Sequence, residues 1–290
     1  MTPLVVLLLS LPCVWAQDVQ SRAAFEAAGI KRLCSDADLA SREALPAPGV
    51  LARARLASPT RSPWIVANGW RFTRRPGNTY QYDVPAGKAA LAAAEAFAYG
   101  ADAVLKADPG DAPDLGAMLT FLEGLPPADL PAVADFAVVE DGTAVTAEVM
   151  NLLARRNLLF EVVQAPSPRY RVNIAMGSAG YAVADAADPN TFAQKVRREL
   201  TDEQRLLRVY GSEVVICRLT GSDGRFRLHL INYGGREIEG LRIRLRGTYR
   251  TAEAHVAGAG RLPLQDHVVA DGFTEFSIPR LATYAVVDGR

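Results

Sequence analysis

"VADFAVVEDGTAVTAEVMNLLARRNLLFEVV", Val133 to Val163, decides the fold. DFAVVED is a short apolar run rich in β-branched residues and closed by acids, which predicts a strand. VTAEVMNLLARRN carries apolar residues at helical spacing. LLFEVVQAP is a second strand. A helix between two apolar strands is a crossover joining parallel neighbours, right-handed by rule. Glu140 and Asp141 fall at the carboxyl end of the first strand, where open α/β sheets place ligands. Only Gly142 follows them, so no phosphate-cradling loop is present and no nucleotide or other cofactor is expected.

Toward the amino terminus the same alternation continues. SRAAFEAAG then IKRLCSD reads as helix then strand, with Asp36 just past the strand. Residues 37–60 are mixed and Pro-rich. PWIVANGWRF, residues 63–72, predicts a strand, and RRPGNTYQYDVPAGK predicts a loop because Pro-Gly and Pro-Ala-Gly break elements. KAALAAAEAFAYG is a helix by propensity, closed by Gly100. ADAVLKADP is a short strand ending at Asp108, and DLGAMLTFLEGLP, from Asp114, is another helix. Strands and helices in turn imply an α/β layer with a parallel sheet. Pro126, Pro127 and Pro131 mark a boundary.

Toward the carboxyl terminus, residues 188–208 predict one more helix. After Glu213 the pattern changes to short alternating runs, EVVICRLTG, RFRLHLINYGG, GLRIRLRGTY, TEFSIP and TYAVVDG, separated by Gly, Asp and Asn. That is an antiparallel β-sandwich pattern. Arg225, Arg227 and His229 share one face of their run, and Arg242, Arg244 and Arg246 share one face of theirs. Such rows are expected on a solvated face; the alternative is a grip on an acidic polysaccharide or a partner. The fold class expected is therefore α/β followed by all-β. It has partial βα-barrel-like or flavodoxin-like parallel units plus a C-terminal antiparallel sandwich, divided as 17–130, 131–210 and 211–290.

The first residues, MTPLVVLLLSLPCVWA, read as a secretory signal peptide (residues 1–16) with an A-x-A-like site after Ala16, and the expected location is secreted or periplasmic. The apolar run is shorter than the ~20 residues a membrane span needs, and no later segment is long enough. Basic and acidic residues balance at 32 each, so no nucleic-acid attraction is expected. Cys13 would leave with the leader. Cys34 and Cys217 would then form one disulfide or remain two buried thiols. They and the three histidines give no metal-ligand spacing, so no metal is expected. His229, His255 and His267 all fall in the sandwich, far from any nucleophile motif.

Three stretches carry a resemblance: AAEAFAYGADAVLKADP, the Val133–Val163 unit, and RFRLHLINYGG with LRIRLRG and LATYAVVDG. Together they resemble the C-terminal half of β-galactosidase-like TIM-barrel glycoside hydrolases. Those join late barrel units to an amidotransferase-like domain without amidotransferase chemistry and to a terminal β-sandwich. A complete barrel takes about 250 residues, so residues 17–130 would hold only part of one. The resemblance implies a secreted, reduced glycoside-hydrolase relative that binds or hydrolyses a carbohydrate. The alternative is a non-catalytic structural or oligomerisation module, and assembly into a homo-oligomer stays open.

Glycoside hydrolysis uses two carboxylates ~5–5.5 Å or ~6.5–9.5 Å apart. Barrel logic nominates Asp36 and Asp108, just past strand ends; loop and cap roles are their ordinary alternative. Glu95 belongs to a helix face. For binding, Trp70 with Asn68, Arg71, Tyr80 and Tyr82, and Glu140 with Asp141, are the candidates. A tryptophan at a strand exit can stack on a sugar ring while amide and guanidinium bond its hydroxyls. The same aromatic group could instead plug the end of a short sheet.

Overall fold

The structure is a computed structural model that describes residues 11–51 and 64–290. Most of the expected leader, and Pro63, lie outside the described residues.

The first unit runs β1 (Cys13–Trp15), α1 (Val19–Ala27), β2 (Leu33–Cys34), β3 (Glu43–Leu45), β4 (Gly49–Leu51), β5 (Trp64–Val66), α2 (Gly69–Arg74), β6 (Thr79–Asp83), α3 (Ala89–Tyr99), β7 (Asp102–Lys106) and α4 (Ala112–Glu123). Its main sheet is parallel, in the order β2-β1-β7-β6-β3. Local chemistry explains the helices. Asp18 and Ser21 cap α1 reciprocally. Alanine carries α3 until Gly100, at φ 62°, ends it in the left-handed region.

All the helices pack on one face. Phe25, Phe72, Phe97 and Leu115 share a core with Val14, Leu45, Tyr80, Tyr82 and Leu105 from the sheet. The opposite face carries a separate small cluster of Cys13, Cys34 and Val104, against which Trp15 and Leu39 pack. Successive strands are neighbours and β7 returns beside β1, so only the β2–β3 step lacks pairing. Helices on one face and strands advancing one way is the winding that βα-barrels also use.

Two local expectations change. Thr79–Asp83 is a strand inside the sheet, not loop: Tyr80 and Tyr82 bury one face while the Pro and Gly breakers lie just outside. The 63–72 segment is strand only to Val66 and then turns into α2, which carries Trp70 and Phe72 inward.

The cysteine expectation is also corrected. Cys13 and Cys34 are disulfide-bonded, joining β1 to β2, and Cys217 is a free, buried thiol. Cys13–Trp15, assigned above to a leader, forms a strand hydrogen-bonded on both sides.

The second unit comprises β8 (Phe136–Val139), α5 (Ala144–Arg155), β9 (Phe160–Val163), β10 (Asn173–Ile174) and α6 (Pro189–Leu200). Its parallel sheet, ordered β10-β8-β9, reverses direction at β8, as a flavodoxin-like sheet does. Trp70 packs from α2 into this unit's core beside Phe136, Met150 and Leu153.

The third unit begins with β11 (Leu207–Tyr210), where the sequence predicted helix. It continues with β12 (Val215–Ser222), β13 (Arg225–Asn232), β14 (Ile238–Arg246), β15 (Ala252–Val256), β16 (Gly260–Leu262), β17 (Gln265–Ala270), β18 (Phe273–Leu281) and β19 (Tyr284–Gly289). Two sheets, β11-β14-β18-β17 and β12-β13-β19-β15-β16, face each other over Leu228, Leu230, Leu245, Phe276 and Val287. Three strands of the second sheet, β12, β13 and β19, are buried on both faces. Ile216, Ile231, Tyr284 and Val286 join the α/β core, and Arg227 and His229, expected in solvent, are only 2% and 1% exposed. Arg227 tolerates this because Asp288 pairs with it through two bonds, of 2.7 and 2.6 Å.

Candidate functional site

The carboxyl ends of the first sheet bring together side chains that a ligand could use. Trp15 leaves β1 partly exposed and donates its indole N–H to Asp36 Oδ1 at 2.7 Å. Lys106, at the end of β7, holds its ammonium 6.0 Å from the centre of the Trp15 ring and 3.4 Å from Asp83 at the end of β6. Asp108 follows two residues later. Strand pairing explains the convergence: β1 lies between β2 and β7, and adjacent strands are ~4.8 Å apart, so the ends bearing Asp36 and Asp108 are about 10 Å apart at the backbone. The Cys13–Cys34 bond ties the Trp15 and Asp36 segments together. An aromatic face flanked by acids and an ammonium suits a polyhydroxy ligand, whose ring C–H groups can stack while its hydroxyls bond the charges.

The two nominated acids also have local roles. Asp108 accepts from the backbone N–H of Gly110 at 2.7 Å and caps the turn before α4. Asp36 opens the short helical turn after β2. Both side chains belong to exposed residues.

The other candidates lie elsewhere. Trp70, Tyr80 and Tyr82 are 7%, 1% and 0% exposed, packed in the cores. Arg71 stacks over the Trp70 ring at 4.4 Å and pairs loosely with Glu43. Asn68 is fully buried: its backbone N–H and its amide donate to the two oxygens of Glu95, at 2.6 and 3.1 Å. Glu140 receives Arg74 in a fork, both bonds 2.6 Å, while the same guanidinium also reaches the Thr143 carbonyl. That pairing holds the Glu140 carboxyl below its usual range. Asp141 accepts from the backbone N–H and hydroxyl of Thr143. The crevice where the β8 sheet reverses is thus filled by an arginine from the first unit.

Sequence reasoning missed the partners that matter most. Trp15 was hidden in the leader assignment. Glu95 was read as a helix-face acid, yet it is fully buried and accepts from Asn68, Tyr82 and, at 2.6 Å, Tyr233 of the sandwich. Burial raises its carboxyl pKa, against the pull of those donors. An acid inside an otherwise alanine-rich stretch was the available signal. Among the described residues no cluster of His, Cys, Asp and Glu could hold a metal ion, and no helix is long and apolar enough to cross a membrane.

These features define an α/β unit with helices on one sheet face, followed by a β-rich domain. Solved glycoside hydrolases share that architecture. The chain resembles an alpha-L-fucosidase isoenzyme 2 from Paenibacillus thiaminolyticus, with TM-score 0.58 and 10% identity over 76% of this chain and 62% of that one. A beta-galactosidase from Bacillus circulans sp. alkalophilus aligns at TM-score 0.44 and 12% identity, over 96% of this chain and 60% of that one. The chain therefore spans about three fifths of the length of these structures. At such identities the likeness is one of fold. No family model matches the sequence, and no curated protein does.

Proposed function

We propose that the chain is a secreted relative of the glycoside hydrolases that binds a carbohydrate at the carboxyl edge of its parallel sheet. The observation that carries this is the partly exposed Trp15 ring beside Asp36 and Lys106, at the edge where barrel-type sheets place their ligands. The glycoside-hydrolase-like fold supports it. Hydrolysis would require Asp36 and Asp108 to act as the carboxylate pair. The Cys13–Cys34 bond supports an oxidising compartment, and a processed chain that keeps this sheet is cut upstream of Cys13.

The test is a titration of intrinsic tryptophan fluorescence with a panel of neutral and acidic oligosaccharides. A saturable change with one sugar, lost in Trp15→Ala and kept in Trp70→Phe, is expected. A flat response across the panel sinks the proposal. Aryl glycoside assays on native, Asp36→Asn and Asp108→Asn proteins then separate binding from hydrolysis.

A second reading, a non-catalytic structural or oligomerisation module, draws support from the capping role of Asp108, the local bonds of Asp141 to Thr143, and the closure of the β8 crevice by Arg74. Light scattering that shows a stable oligomer, with no sugar response, would favour it.

A further inference from the structure

A second candidate site lies at the opposite, amino ends of the same strands, where all three units meet. A cavity of about 600 Å³ opens there, a size that suits a small-molecule ligand. Trp70, Phe72, Tyr99, Leu159, Phe160 and Leu219 are among the large apolar and aromatic residues of its wall. Its charged lining is uneven. Asp102 is paired with Arg42 at 3.0 Å, Glu161 with Arg169 at 3.3 Å, and Arg75 with Glu43 at 3.8 Å. Arg218 has no such partner. It lies on the face of β12 that meets the α/β unit, stacked 5.1 Å from the centre of the Tyr99 ring, and its guanidinium donates to the Ala98 carbonyl at 2.6 Å. Among the described residues that is its one hydrogen bond, and no carboxylate lies within ion-pairing distance.

A guanidinium has five N–H donors, so most of those on Arg218, which is half-buried in the cavity wall, remain available to a ligand. Partial burial is the first cause of the lowered pKa of Arg218. His229, directly across the strand pair, supplies no negative charge: its Nδ1 is bonded to the Tyr284 hydroxyl at 2.6 Å, and burial beside two arginines holds it neutral. The cavity thus combines an aromatic and aliphatic wall with one uncompensated cation.

We propose that this cavity binds a small monoanion with a planar apolar body, of the aryl carboxylate class, its carboxylate on Arg218 and its ring among Phe72, Tyr99 and Phe160. The site is separate from the Trp15 edge and does not depend on the carbohydrate proposal. Trp70 in the wall gives it an optical signal of its own.

The test is isothermal titration of the full chain with 1-naphthoate and with 1-naphthalenemethanol, the neutral molecule of the same shape. Saturable binding of one naphthoate per chain is expected, with the alcohol about tenfold weaker or more, since a charge-assisted bond is absent. Arg218→Met should bring naphthoate down to the level of the alcohol, and Leu159→Trp, which fills the cavity, should abolish both. No saturable binding to the native protein overturns the proposal, as does naphthoate binding unchanged in Arg218→Met or equal binding of acid and alcohol. Should Arg218→Met fail to fold by near-UV circular dichroism, the acid-versus-alcohol comparison on the native chain and the Leu159→Trp variant decide.

Discussion

Glu95 shows how one acid can join two units. Its carboxyl collects Asn68 and Tyr82 from the α/β unit and Tyr233 from the sandwich. Glu95→Ala would leave these donors buried without an acceptor, each costing about 1–3 kcal/mol, so the variant should lose roughly 3 kcal/mol or more in urea unfolding. Glu95→Gln, which keeps one acceptor, should lose less; equal losses would sink this account. Asp135 predicts a pH effect. It accepts from the Leu206 N–H at 2.7 Å, and burial pushes its carboxyl up to about 6, against ~3.9 unfolded. Between those values the folded chain holds a proton that the unfolded chain has lost. Stability from this group is therefore full below about pH 4 and declines as pH rises through about 6, by about 3 kcal/mol in total. Asp135→Asn should flatten that slope in unfolding measured from pH 4 to 7.5; an unchanged slope would assign it to other groups. Neither role was legible in the sequence, because the partners of Glu95 and Asp135 lie up to 138 residues away.

Elements were read well where composition and period agreed. Lys88–Gly100 announces α3, and Val133–Val163 announces β8, α5 and β9 in the right order and places, with both strands shorter than the runs that announced them. Reading failed where breakers crowd a short element. Thr79–Asp83 is five residues between Pro-Gly and Pro-Ala-Gly, so β6 looked like loop. It failed again in β13, where alternation of arginine with leucine normally means one wet face, but the α/β unit covers that face. Packing between elements gives a further prediction. A Cβ on Gly116 of α4 would lie 2.3 Å from the Ala28 carbonyl oxygen at the end of α1. Gly116→Ala would ordinarily favour a helix; here it should cost about 1–3 kcal/mol by forcing α1 and α4 apart, read as a lower thermal midpoint. A stabilised variant would mean that α1 can move away freely.

In the whole molecule, the order of units was legible but their joints were not. Composition separated α/β from all-β because helical spacing and strict alternation are incompatible patterns. The joints are made by single side chains: Arg74 on Glu140, Glu95 with Tyr233, and Arg227 donating to the Pro126 carbonyl as well as to Asp288. These sealed contacts should make the three units unfold together. Arg74→Ala leaves the Glu140 carboxyl without its two short bonds, and a cost of about 2–3 kcal/mol is expected for this partly buried, charge-assisted fork. Differential scanning calorimetry should show one transition in the native chain and a lowered or split one in Arg74→Ala. Two well-separated transitions in the native chain would contradict the coupling.

The return of β7 to the side of β1 also fixes when this protein can fold during its synthesis. Cys13 is paired with Val104 in the finished sheet, so β1 has no neighbour on that side until nearly a hundred more residues have followed it. Meanwhile Cys13 needs only Cys34, which follows 21 residues later. Where the surroundings are oxidising, the covalent link between β1 and β2 can therefore form well before the sheet does. Nascent chains halted before Val104 should carry the link yet yield to protease, and chains long enough to expose α4 from the ribosomal tunnel should resist it.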